Sequence, residues 1–212
     1  MVGTLKWVWS SYPVERDETM STQPAERTLE ATLLGKETSI AYSDTWLAYS
    51  LLGLRFLMAW IFLQAGLEKL AEGGWTNIGG FTAEGYLVHG VAETNPLKGL
   101  YMFFADILWL VDPMVMFGQI LIGLALLFGV FFRFAALMGG LQMLFFWMGA
   151  WQGGLLAGLP VEHGYVFDSS FVNALVLFGL GAWGAGRILG LDARLEETEI
   201  VQNNPWLRYL LG

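Results

Sequence analysis

One arginine, Arg55, stands well inside an otherwise apolar stretch that runs from Trp46 to Leu70. At roughly 1.5 Å of rise per helical residue, a stretch of that length can cross a hydrocarbon layer of about 30 Å. The sequence therefore predicts a guanidinium group near the middle of a bilayer. A charge there is costly, so it faces protein or water and finds a partner. We expect Arg55 either to orient a bound ligand or to join helices through their carbonyl and amide groups.

Amide side chains in the other apolar stretches are candidate partners of this guanidinium. Gln119 and Gln142 are predicted at a depth from which their side-chain carbonyls could accept hydrogen bonds from Arg55. A second polar layer is predicted near the outer membrane boundary, and its members are Gln64, Glu68, Gln152 and Asn173.

These side chains meet the chemical requirements of a quinone pocket. Such a pocket needs an apolar slot, aromatic walls, hydrogen-bond donors for two carbonyls and a path for protons. We predict catalytic roles for Arg55, which would orient a head group or an anionic substrate, and for Glu68 or Asp168, which would exchange protons. The predicted contacts to the quinone are Arg55, Gln64, Gln119, Gln142, Asn173, Trp60 and Trp147.

Each of these assignments has a structural alternative. Glu68 and Lys69 could form a solvated pair at the membrane boundary. Aromatic residues are also ordinary lipid-facing residues, so the tryptophans permit a quinone pocket without requiring one.

The composition excludes an ordinary soluble domain. The 212 residues are 55% hydrophobic and 14% charged, with a mean hydropathy of +0.52, which is typical of a multi-spanning membrane protein. The chain has no cysteine, which excludes disulfides, thiolate metal sites and iron–sulfur clusters. His89 and His163 fall in predicted outer loops, which argues against haem. We therefore expect a quinone, and neither haem, an iron–sulfur cluster nor a metal.

The apolar stretches predict an all-α, polytopic membrane protein with a bundle of four transmembrane helices over residues 46–191. Small residues at every fourth position favour close helix packing. Asp112 with Pro113, and Asp168 with the two serines that follow it, supply helix-start signals for the second and fourth helices. An outer loop over 72–112 would hold an additional interfacial or re-entrant helix from Gly99 to Val111, which is too short to cross. The four predicted spans cover about residues 46–70, 114–132, 134–156 and 171–188.

Acidic segments flank the bundle. Residues 1–45 form a predicted leader with one short surface helix, which Thr22 would cap and Gly35 would end. Residues 192–212 form a predicted tail with a short interfacial helix near Pro205. The net charge of −8 argues against nucleic acid as a partner and suits an extreme halophile.

Basic residues predict the orientation. Eight of them fall before the first span, between the second and third, or after the fourth, whereas Lys69 and Lys98 fall on the other side. The positive-inside rule then predicts a multi-pass protein of the plasma membrane with both termini in the cytoplasm.

Three segments resemble a known family. They are R-F-x-x-A-x-x-F-x-x-A-G-x-x-K-L from Arg55 to Leu70, G-V-F-F-R-F-A-A from Gly129 to Ala136, and G-A-G-R-I-L-G-L-D from Gly184 to Asp192. Together they are similar to the DoxX/DoxD family of four-span membrane proteins, the archaeal type in particular, over about residues 46–194. The resemblance implies a four-helix bundle and, for the best-described members, the membrane subunit of a thiosulfate:quinone oxidoreductase. It is also what makes a halophilic archaeal source plausible.

We therefore expect a quinone-interacting membrane subunit of a redox complex, with membrane lipids and a second subunit or further copies of the chain as partners. The alternative is a non-catalytic scaffold that anchors a partner complex through its tails. A small-solute transporter is less favoured because four closely packed spans without an inverted repeat leave little room for a pathway.

Overall fold

The computed structural model describes residues 26–33, 35–72, 80–152 and 167–212. These residues belong to two compact units, Met1–Asp44 and Thr45–Gly212. The boundary between the units coincides with the predicted start of the first span.

The described part of the first unit is a β-hairpin. Strand β1 (Glu26–Leu33) pairs antiparallel with β2 (Lys36–Ser43), and Gly35 makes the turn with a φ of +80°. The predicted surface helix is therefore wrong over these residues, while its Thr22 cap lies outside the described residues. Leucines four residues apart share one side of a strand as well as of a helix, and threonines favour the strand.

The second unit is helical. Its main helices are α1 (Asp44–Glu72, whose first residue belongs to the hairpin unit), α2 (Lys98–Asp106), α3 (Leu108–Phe128), α4 (Phe132–Gly149) and α5 (Ser169–Trp183). A π-helical turn (Gly85–Gly90) precedes α2. Short helices follow α5, namely a 3₁₀ turn (Ala185–Arg187), α6 (Asp192–Leu195), α7 (Glu199–Asn203) and a second 3₁₀ turn (Pro205–Tyr209).

Three described helices, α1, α3 and α4, are long and apolar enough to cross a membrane. The apolar helix α5 has 15 residues, which is roughly 22 Å and shorter than the hydrocarbon layer. The membrane character of the chain is thus confirmed, whereas the fourth crossing stays a prediction. Helix α2 overlaps the predicted interfacial helix over residues 99–106, whereas residues 108–111 of that prediction begin α3. The position of α2 relative to a bilayer stays a prediction.

Helix α3 begins earlier than the sequence predicts. Asp112 and Pro113 were expected to cap its first turn, but both lie inside it, because α3 begins at Leu108. The Asp112 carboxylate instead accepts a hydrogen bond of 2.8 Å from the backbone N–H of Ala83. Asp112 therefore ties α3 to the segment before α2. Asp168 does cap α5, as predicted, by accepting from Phe171 N at 2.9 Å.

Small residues set the distances between helices. A Cβ on Gly123 of α3 would lie 2.8 Å from the backbone nitrogen of Leu63, so α1 and α3 cross in close contact. A Cβ on Gly139 of α4 would meet side chains from three other helices, namely Phe62 at 3.0 Å, Leu177 at 3.1 Å and Ile122 at 3.3 Å. Four helices therefore converge at one level of the bundle.

The two ends of this bundle have different coverings. At the turn end, defined by the α3–α4 turn at Gly129, the chain after α5 folds back and buries Leu211 and Asp192. At the far end, defined by the end of α4 at Gly149, the segment 80–106 packs through its own buried cluster, which includes Leu87, Val91 and Tyr101. The predicted tail, 192–212, thus belongs to the same compact unit as the helices.

Candidate functional site

The guanidinium of Arg55 is buried at the turn end. The side chain is 1% exposed, and its Nη1 donates to the carbonyls of Ala185 at 2.9 Å and Ile188 at 2.6 Å. A Cβ on Gly129 would lie 3.3 Å from the same nitrogen. Helical side chains lean toward the start of their helix, so the guanidinium lies nearer that end than its Cα does. The guanidinium therefore lies at the level of the α3–α4 turn, and its depth in a bilayer stays a prediction.

The predicted contact of Arg55 with Gln119 and Gln142 is wrong. Among the described residues, no donor reaches Oε1 of either glutamine. The reason is their level in the bundle. Phe62 on α1 is in contact with Gly139 on α4, which gives a common reference level. Both glutamines lie one turn from that level toward the far end, whereas Arg55 lies two turns from it toward the turn end. Roughly 15 Å of α1 separates Arg55 from their level.

Asp192 is the acidic residue that the sequence analysis did not single out. It is fully buried, and its carboxylate accepts hydrogen bonds from the backbone N–H groups of Phe131 at 2.8 Å, Phe132 at 2.9 Å and Gly212 at 2.8 Å. Burial raises the pKa of this carboxyl, and those three N–H groups oppose the rise because they bind its charged form. A carboxylate at the start of α4 also complements the helix dipole.

Arg55 and Asp192 interact electrostatically, and each binds backbone groups at the turn end. Arg55 binds the carbonyls of residues 185 and 188, and Asp192 binds the start of α4. The motif G-A-G-R-I-L-G-L-D was a signal for this arrangement. Its glycines allow close approach, since a Cβ on Gly186 would clash with Phe132 and a Cβ on Gly190 would clash with the Gly186 carbonyl. Backbone groups therefore bind Nη1 of Arg55 and both carboxylate oxygens of Asp192, whereas Nε of Arg55 has no acceptor among the described residues.

A different set of polar groups lies in the bundle interior. Gln119 on α3 is 2% exposed, Gln142 on α4 is half-buried, and Oε1 of each lacks a donor among the described residues. Ile122 on α3 lies beside Gly139 on α4. Gln119 is one turn before Ile122, and Gln142 is one turn after Gly139. Because α3 and α4 are antiparallel, the two glutamines lie at the same level. Half-buried Asn173 lies one turn beyond Leu177 on α5, at that level too. We call these three residues the amide layer.

The amide layer can both donate and accept hydrogen bonds. Each primary amide carries two N–H donors and a carbonyl acceptor. A buried acceptor without a donor costs free energy in an apolar interior, and an unpaired one calls for an explanation such as a ligand or a water molecule. This layer therefore offers hydrogen bonds to a small molecule that carries hydroxyl or carbonyl groups.

The remaining predicted site residues are dispersed. Gln64 is exposed and donates to Glu68 Oε1 at 2.8 Å, and Asp168 is occupied as the cap of α5. Trp60 is 65% exposed on the outside of α1. Trp147 instead packs against Trp151 and Phe171, with ring centroids 5.0 and 4.8 Å apart.

The far end carries a polar cluster that sequence reasoning missed. Asn95 Nδ2 donates to the carbonyls of Met148 at 2.9 Å, Gly149 at 3.2 Å and Trp151 at 2.9 Å. Tyr101 donates to the Phe145 carbonyl at 2.6 Å, and burial raises the pKa of its phenol, which keeps the donor proton in place. These donors satisfy carbonyls at the end of α4. The Asn-Pro pair at residues 95 and 96 was the available signal for a turn.

The described residues contain no group of three or more His, Asp or Glu side chains placed to hold a metal ion. A comparison with known families gives a more specific result. The segment that runs from α1 to the end of α4 matches the DoxX family over residues 50–151. This segment is a DoxX domain.

The DoxX domain contains Arg55, Gln119 and Gln142, but the partners of Arg55 lie beyond it, at residues 185 and 188. DoxX is a membrane family, in agreement with the three apolar helices. No curated protein and no solved structure matches the chain.

Proposed function

We propose that this protein is a quinone-interacting membrane subunit of a redox complex, of the thiosulfate:quinone oxidoreductase type. The observation that carries the proposal is the pair of buried amide oxygens, on Gln119 and Gln142, that have no donor among the described residues. The DoxX domain supports it, since members of this family are often associated with quinone oxidoreductases.

The amide layer suits both redox forms of a quinone head group. The amide N–H groups can donate to the carbonyls of the oxidised form, and Oε1 of Gln119 or Gln142 can accept from the hydroxyls of the reduced form. A bound quinone supplies two-electron redox chemistry; the chain's own part is to orient the ring. In this proposal, Glu68 and Asp168 exchange protons near the far end. The side chains that flank the path of the quinone to the amide layer are Trp147, Gln64 and Trp60. Arg55 holds the helices in position and does not touch the quinone ring.

The wider setting of the proposal follows from the sequence. Its basic residues favour a plasma-membrane protein with four spans and both termini in the cytoplasm. Because the chain has no cysteine, a second subunit or a directly bound substrate would supply the electrons, and its acidic tails favour a halophilic archaeal source. The proposed quinone site in the amide layer does not depend on the topology, the second subunit or the source organism.

Gln119→Leu tests the proposal in nanodiscs that contain the full chain. We expect binding of decylubiquinone, followed by quenching of tryptophan fluorescence, to weaken by about tenfold, because a hydrogen bond of about 1.4 kcal/mol is lost. Gln142→Leu should have a similar effect. Gln152→Leu is the control, because Gln152 is exposed and outside the amide layer.

The same variants separate binding from folding. Replacing a buried unpaired amide with leucine removes a desolvation cost, so Gln119→Leu should raise the melting temperature while it weakens binding. Unchanged quinone affinity in both glutamine variants, with the melting temperature raised, would reject the quinone site.

A second candidate function, a non-catalytic scaffold, is favoured by the separate hairpin unit at residues 26–43, whose side chains are largely exposed. Deletion of residues 1–42 distinguishes the two. If the protein is a scaffold, the deletion should remove proteins that co-purify from native membranes, and mass spectra should show no quinone with or without residues 1–42. If it is a quinone subunit, quinone should remain bound after the deletion.

A further inference from the structure

An apolar groove runs along the outside of the bundle between α4 and α5. It encloses about 300 Å³. Its floor is made of small residues, since a Cβ on Gly181 would lie 3.3 Å from Ala136 Cβ and one on Gly140 would lie 3.9 Å from the Ala174 carbonyl. Its walls are large side chains that are strongly exposed, including Leu137 at 56% and Phe178 at 75%. Such a groove fits a slender hydrocarbon chain.

A cation closes one end of this groove. Arg133 lines the groove at the start of α4, is half-buried, and donates from Nε to the Gly181 carbonyl at 3.2 Å. That hydrogen bond holds the guanidinium against α5 and leaves the two Nη groups without a carboxylate within 4.0 Å among the described residues. Guanidinium groups match phosphate oxygens in geometry and charge.

The length of the groove matches one membrane leaflet. From Arg133 to Leu144, the two ends of its α4 wall, the helix rises by roughly 16 Å, which is about half of a hydrocarbon layer of about 30 Å. A lipid whose phosphate contacts the guanidinium would therefore lay one chain along the groove without leaving its own leaflet.

The geometry points to a binding site for an anionic phospholipid, with one hydrocarbon chain in the α4–α5 groove and the phosphate on Arg133. The charge at one end decides against the other occupants. A neutral quinone tail or a helix from a second copy of the chain would bury apolar surface equally well, but neither would use the free donors of the guanidinium. This site lies outside the amide layer and does not depend on the proposed quinone function.

Native mass spectrometry of the full chain, released from nanodiscs of mixed phosphatidylglycerol and phosphatidylcholine with identical chains, tests this site. Wild-type protein should retain phosphatidylglycerol preferentially. Arg133→Gln should lower the ratio of the two retained lipids by about fivefold, the contribution of one basic residue to anionic lipid binding. Arg133→Lys should keep most of the preference because it keeps the charge.

Two further variants make the result specific. Arg194→Gln removes the same charge from an exposed position and should leave the ratio unchanged. Gly140→Leu should fill the groove and reduce retention of both lipids, and its backbone site has room, since the nearest atom to a Cβ is 3.9 Å away.

Three outcomes overturn the proposal. The first is a ratio in Arg133→Gln equal to that of the wild type. The second is an equal loss in Arg194→Gln, which would assign the preference to net charge. The third is a dimer that disappears in Gly140→Leu while lipid retention is unaffected, which would assign the groove to a second copy of the chain.

Discussion

At the scale of single residues, Arg55 shows how a membrane protein can satisfy a charge with backbone carbonyls. Its Nη1 binds two carbonyls at the end of α5, 130 and 133 positions away in the chain. The sequence identified the residue, because one arginine in an apolar stretch is conspicuous. It did not identify the partners, since backbone carbonyls leave no trace in residue type.

Arg55→Gln should lower the free energy of unfolding by about 3 kcal/mol, because two hydrogen bonds from a charged donor are lost and Asp192 loses its nearby cation. Thermal unfolding in detergent measures this change. Arg208→Gln, at an exposed position, should change stability by no more than about 0.5 kcal/mol. A stable Arg55→Gln protein that no longer binds quinone would restore Arg55 to the ligand site.

At the scale of elements, glycines determine how closely α1 and α3 approach. A Cβ on Gly123 would lie 2.8 Å from the backbone of Leu63, whereas one on Gly118, in the same helix, would meet nothing within 4 Å.

Gly123→Ala should destabilise the protein by about 1–3 kcal/mol, because backbone atoms of α1 cannot move aside as a side chain can. Gly118→Ala should stabilise it by roughly 0.5–1 kcal/mol through a lower chain entropy in the unfolded state. Thermal unfolding of the pair checks both signs. Equal effects would show that the α1–α3 crossing is not in close contact.

Polar contacts join the segment before α2 to the end of α4, beside the apolar cluster that the two share. Nδ2 of Asn95, with two N–H groups, lies within hydrogen-bond distance of three carbonyls at that end, and Oδ1 accepts from Leu97 N at 2.8 Å.

Asn95→Ala should therefore increase amide hydrogen exchange over residues 80–106 and at the end of α4, since orphaned carbonyls and a freed segment open more often. Asn204→Ala is the matched control, because Asn204 is exposed and bonds only within its own turn. The attachment would be contradicted if neither variant exchanged faster over residues 80–106 and any increase were confined to residues 199–209.

At the scale of the whole molecule, the number of crossings is the open topological question. Helices α1, α3 and α4 are long enough, and α5 is about one and a half turns shorter than the hydrocarbon layer requires. Its close packing on α4 favours a crossing, since α4 shields one of its faces.

Single cysteines can decide this because the native chain has none. With four spans and cytoplasmic termini, a membrane-impermeant maleimide should label Glu84→Cys from outside intact cells, and should label Ser39→Cys and Ala193→Cys only after lysis. All three positions are exposed. Labelling of Ala193→Cys from outside would mean that α5 does not cross.

Composition and hydropathy by themselves determined that this chain is a helical membrane protein, where its apolar helices lie, and that Asp168 begins one of them. These properties add up residue by residue, since transfer into a bilayer and helix capping depend on local sequence. The family resemblance was likewise carried by local motifs. Which polar groups meet was decided only in the tertiary structure. Arg55 binds carbonyls beyond the DoxX domain, Gln119 and Gln142 share a level in the bundle away from Arg55, and the described part of the leader, from Glu26 to Ser43, forms a hairpin. Each outcome depends on how helices cross or strands pair between residues distant in the chain.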